Sequence, residues 1–185
     1  MSDVLSRLEE LERRVAQMVV RGRIAAIDHA RHVARVSYGG GMTTGWLQWK
    51  PIRTGRATIW WAPEVGEGVT VISDGDLTLG EILPGSYHRA MPAPSSDPDL
   101  FLVEFGDGSA LSHHRKQKHF DLNVAGPGTA TITAKAGVRI VGDLTVEGDI
   151  KATGDVADSK RSMQGDRDIY NGHDHPNVGK VNQQQ

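Results

Sequence analysis

Two histidines near the C-terminal end, His173 and His175 in "IYNGHDHPNVGK", have the type and spacing for metal chemistry. Residues i and i+2 of an extended segment face the same way, so both imidazoles would share one side while Asp174 takes the other. Gly172 and Pro176 bracket the pair and can bend the chain towards and away from a common point. Two imidazoles seldom complete a site alone. Three chains meeting there would bring two stacked rings of three imidazoles. Such a nitrogen-only set suits octahedral iron or nickel better than tetrahedral zinc. The other histidine-rich stretch, "HHRKQKH" from His113 to His119, has no carboxylate or third ligand at ligand-like spacing and reads as a solvated basic strand.

A tip of this kind needs a shaft that holds three chains together. From Ala130 to Val156 every even-numbered position is apolar or Gly, and of the odd positions only Gly137 and Val141 are not polar. Phe120, Leu122 and Val124 keep the same parity upstream. This is β alternation with one dry face and one wet face. A six-residue repeat overlies it, "GDLTVE", "GDIKAT", "GDVADS", each opening on a Gly-Asp corner. Three hexapeptides make only about one coil of a single-chain β-helix, which cannot bury its own faces. A lone ribbon would also leave strand edges unpaired. Three chains wound about one axis answer both problems. Ile132, Val138, Ile140, Leu144, Val146, Ile150 and Val156 then form the trimer core. At ~1.5–3 kcal/mol each they contribute at most on the order of 10–20 kcal/mol per chain.

Upstream, residues 1–20 read as a helix starting at Ser2 or Asp3 and ending at Gly22. Val4, Leu8, Leu11, Val15 and Met18 are spaced 4, 3, 4, 3, a coiled-coil seam. An amphipathic helix lying on its own domain fits the same pattern. Residues 21–93 read as a small closed barrel of OB type. "RIAAID" and "HVARVSY" flank a turn, "GGGMTTG" is a mobile loop, and "WLQWKPI", "ATIWWA", "GVTVISDG" and "LTLGEILPGSY" are short strands. Trp46, Trp49, Trp60 and Trp61 fill the barrel or a subunit contact; no basic stripe interleaves them as nucleic-acid stacking would require. A Pro/Ser linker, 94–100, precedes the predicted intertwined β-helix, 101–160, and an apex, 161–185.

Composition agrees with this plan. The 185 residues carry 38 % apolar side chains and 22 glycines, sparse for a large globular core. A net charge of −2 does not point to nucleic acid or an anionic membrane. With no cysteine there are no disulfides or thiolate sites, so assembly in a reducing cytoplasm meets no obstacle. The charged, periodic start is not a signal peptide, and no apolar run approaches the ~20 residues of a membrane span.

The order helix, barrel with "PEVGEGVTVIS", "FGDGSALSHH", "GDLTVEGDIKATGDV" and terminal "HDH" resembles the phage baseplate assembly protein V family nearly end to end. That family comprises the central spikes of Mu-type contractile tails and of R-type tailocins, the phage-derived bacteriocins. The resemblance implies a mainly β homotrimer: an N-terminal helix, an OB domain on the tail hub, an intertwined triple-stranded β-helix or prism, and an apex. At that apex His173 and His175 of each chain hold one iron ion, and further ions in the prism are possible. It implies a tail-tip location in the particle and mechanical piercing of a target bacterium's outer membrane. Longer relatives carry a lysozyme domain between barrel and helix; the short linker here leaves no room for one, so no enzyme is expected. An OB-type oligonucleotide- or glycan-binding module on a trimeric stalk is the alternative. A hexapeptide-repeat acyltransferase would need more coils than three hexapeptides provide.

Overall fold

The computed structural model describes residues 2–173. Helix α1, Ser2–Met18, passes without a loop into β1, Val19–Asp28. Then come β2 (Val33–Tyr38), β3 (Met42–Thr43), β4 (Leu47–Trp49), β5 (Gly68–Ser73) and β6 (Gly80–Pro84). A separate antiparallel sheet consists of β7 (Leu100–Glu104), β8 (Ala110–His114) and β9 (His119–Asn123), and α2 spans Met163–Gly172. The chain divides into two units between Gly128 and Thr129.

The first sheet closes on itself in the ring β1–β5–β6–β4–β2–β1, with the two-residue β3 paired antiparallel against the end of β2. The long β1 makes closure possible. Its first half, Val19 to Arg23, pairs with β5, and from Arg23 onward it pairs with β2. A bulge between Ile24 and Ala26 bends it from one neighbour to the other. The β4–β6 pair is parallel and the remaining ring pairs are antiparallel. Alternation places Val69 and Val71 of β5 and Leu47 and Trp49 of β4 inside. They pack with Ile24, Ala34, Val36, Leu77 and Ile82 in one core.

Several local expectations are corrected. The helix ends at Met18, four residues before Gly22, and its last turn docks on the barrel. There the Ser73 hydroxyl donates to the Gln17 carbonyl at 2.7 Å, satisfying one of the carbonyls that a helix end leaves open. Gly22 instead lies within β1, where a Cβ would stand 2.4 Å from the Ser37 carbonyl oxygen. Only glycine lets β1 and β2 approach so closely. Within "GGGMTTG" the exposed Gly39–Gly41 form a 3-10 turn, Met42–Thr43 pair with β2, and Thr44 is buried, its hydroxyl accepting from the Val36 N–H at 3.0 Å and donating to the Gly45 carbonyl at 2.8 Å. "ATIWWA" forms no strand beyond a single bridge, Arg53 with Ile59. The ring is already closed by β4 against β6, so no barrel edge remains for it. "HHRKQKH" is a tight hairpin and not one strand: His114 ends β8, His119 begins β9, and Lys118 takes a left-handed φ of 54°.

Candidate functional site

Residues 101–123, expected at the start of the intertwined helix, pair within their own chain, with Leu100, as the β7–β8–β9 sheet. The linker is fastened to that sheet by charge. Asp99, 4 % exposed, receives Arg115 Nε and, at 2.5 Å, Lys116 Nζ. Asp97 accepts the Asp99 N–H at 2.8 Å and lies 3.2 Å from His114 Nε2; these two contacts hold its carboxyl below the usual carboxylate range. The basic run therefore does have carboxylate partners. They come from 16 and 17 residues away in "SSDPD", a separation no local spacing rule detects.

The alternating segment is unlike everything before it. Residues 124–156 hold no paired strand among the described residues. Ile132, Val138, Ile140, Leu144, Val146, Ile150 and Val156 are 45–80 % exposed in the isolated chain. The Gly-Asp corners are visible as backbone: Gly142 and Gly148 take φ of 125° and 132°, which side-chain-bearing residues rarely adopt. The third repeat closes differently. Ala157 bridges to Ser162, and the Met163 N–H donates to the Val156 carbonyl at 2.8 Å, so the chain reverses into α2. Ser162 caps α2, accepting from the Gly165 N–H at 3.0 Å. Its hydroxyl, with the Gln164 and Val156 N–H groups, holds the Asp155 carboxyl below its ordinary range.

Sequence reading missed α2 because "MQGDRDIYNG" contains two glycines and few apolar residues. The helix ends on His173, whose own backbone (φ −74°, ψ 142°) is extended. His173 Nδ1 is hydrogen-bonded to the Tyr170 carbonyl, and the ring centroids of Tyr170 and His173 are 5.3 Å apart. A carbonyl only accepts, so Nδ1 carries the hydrogen and the neutral ring has its lone pair on Nε2. Backbone-fixed tautomers of this kind are what metal-ligating histidines use. His175 lies outside the described residues. Among the described residues of one chain no three His, Cys, Asp or Glu side chains gather as a metal set.

The tryptophans separate into one core residue and three surface ones. Trp49 is buried in the barrel. Trp60 packs against it at 5.9 Å and against His32 at 5.2 Å, while Trp61 stacks on Phe105 at 5.8 Å and 14°. Trp46 lies under the Arg35 guanidinium, 5.7 Å from its centroid. A groove of about 410 Å³ lined by Ile52, Ile59, Trp61 and Leu83 marks the barrel's outer face. No helix among the described residues is long and apolar enough to cross a membrane.

Comparison with known proteins places the barrel. Residues 20–87 match the type VI secretion system/phage-baseplate injector OB domain family. The chain is also 36 % identical over 137 residues to the spike protein of Escherichia phage P2. That alignment covers 74 % of this chain and 64 % of the relative, so the chain spans less than two thirds of the relative's length.

Proposed function

Since the chain belongs to the baseplate assembly protein V family through its OB barrel, we propose that it is the homotrimeric tail spike of a contractile injection particle, a phage tail or an R-type tailocin. The observation that carries the reading is the distal segment: an apolar face with even parity, glycine corners, and no cover within its own chain. Three copies turn those faces inward and pair each other's edges, so the shaft exists only as a trimer. The barrel meets the tail hub, and the distal end leads as sheath contraction drives the particle's tube through the target's outer membrane. The role is mechanical and structural, not enzymatic. Assembly takes place in the producing cell's cytoplasm, before the particle reaches its target.

A piercing tip must not splay. His173 and His175 of three chains hold the metal, iron by family, and its chemistry there is that of a cross-link between chain ends. The residues do the positioning. The Tyr170 carbonyl sets the His173 tautomer, and residues i and i+2 of an extended segment share a side, so His175 would face the same way as His173. Protonation competes with metal for imidazole, whose unperturbed pKa is about 6.5. Tag-free protein is expected to contain one iron per three chains by elemental analysis. A double His173→Ala, His175→Ala chain should contain none and remain trimeric. A metal-free wild-type trimer with an ordered apex overturns the site.

A further inference from the structure

The N-terminal helix raises a separate question, because its apolar seam does not face its own domain. Every α1 residue from Asp3 to Ala16 is exposed. Val4, Leu8, Leu11, Val15 and Met18 are 46–68 % exposed, and Leu5 beside them is 58 % exposed. The helix touches the barrel elsewhere. Arg14 Nη2 donates to the Asp74 carbonyl at 3.4 Å, and a Cβ at Gly75 would stand 2.7 Å from Arg14 Cβ. With about 100° per residue, the anchored side at Arg14 and Gln17 lies roughly a quarter-turn or more from the centre of the seam. Anchoring therefore holds the helix at its C-terminal end and leaves the seam open.

We infer that three α1 helices pack as a short, parallel, in-register coiled coil; the inference rests on the trimer proposed above. Charge complementarity selects the occupant. With Leu8 and Val15 at heptad position a and Val4, Leu11 and Met18 at d, the flanking g positions hold Arg7 and Arg14, and e holds Leu5 and Glu12. In a parallel coil a g residue meets the e residue five positions on in the neighbour, which pairs Arg7 with Glu12. An antiparallel arrangement would set Arg7 and Arg14 against each other. Fewer than three heptads are marginal as free helices. Here the chains are already joined through their distal halves, so helix association is intramolecular in effect and needs little intrinsic affinity.

The chain has no cysteine, which makes a cross-linking test clean. Leu11→Cys places a thiol at d, and Arg13→Cys places one on the outer face. Under mild oxidation of the full chain, Leu11→Cys is expected to give mostly disulfide-linked pairs within each trimer, and Arg13→Cys at least several-fold fewer. Adding Glu12→Arg to Leu11→Cys should lower the yield, and adding Arg7→Glu to that chain should restore it. Equal cross-linking of both cysteine variants in a chain that sediments as a trimer overturns the coil and leaves the trimer standing; the seam would then serve a different partner. A wild-type chain that sediments as a monomer overturns both.

Discussion

A Leu144→Glu chain is expected to fall from trimer to monomer in sedimentation while its barrel stays folded. Leu144 sits on the even-numbered face between the corner glycines Gly142 and Gly148, and it is exposed in the isolated chain. In the proposed trimer its three copies face one axis. Three carboxylates there would be buried, unpaired and mutually repelling, at several kcal/mol per ion. With one ion per chain, that penalty and the lost burial of Leu144 remove a large share of an apolar gain that is at most about 10–20 kcal/mol per chain before any ordering cost is subtracted. The neighbouring odd position supplies the control: Thr145→Glu faces solvent and should leave the trimer intact. Because all four tryptophans lie between residues 46 and 61, with Phe105 stacked on Trp61, their fluorescence reports the first unit and not the alternating segment. A trimeric Leu144→Glu chain, or a Thr145→Glu chain that dissociates, would contradict the assigned face.

The second large effect belongs to the barrel. Ile82 is fully buried and sits where the ring closes, paired with Trp49 on β4 in parallel and with Val71 on β5 antiparallel. Ile82→Ala removes three carbons from the centre of the core and leaves a cavity that the closed ring cannot collapse around. The expected cost is about 2–5 kcal/mol. In a domain of this size that lowers the barrel's melting temperature by on the order of 10 °C or more, followed through tryptophan fluorescence. Ile72→Ala, on the outer side of β5 and 45 % exposed, should cost less than about half as much. Equal shifts would mean that the ring interior has been placed wrongly.

What could be read from the residues follows from how local each signal is. The β1–β2 hairpin was legible because its turn, residues 29–32, separates two apolar runs, and Asp28 caps it by accepting the Arg31 N–H at 3.0 Å. The α1 seam and the Gly-Asp corners were legible because period and backbone freedom act over a few residues. "ATIWWA" was misread as a strand because a strand needs a free edge, and edges are a property of the whole ring. Gly22 looked like a helix stop because the close approach of Ser37 that demands glycine there comes from another strand. The Asp97–His114 and Asp99–Arg115 contacts join segments that only folding brings together. The Tyr170 carbonyl that sets the His173 tautomer depends on α2, whose weak helix formers hid it.

The most direct test is the mass of the untagged full chain at sedimentation equilibrium, at micromolar concentration and neutral pH. Three chains of 20.1 kDa moving as one particle is the predicted result. A folded particle with the mass of one chain, its distal apolar residues still facing water, would contradict the account.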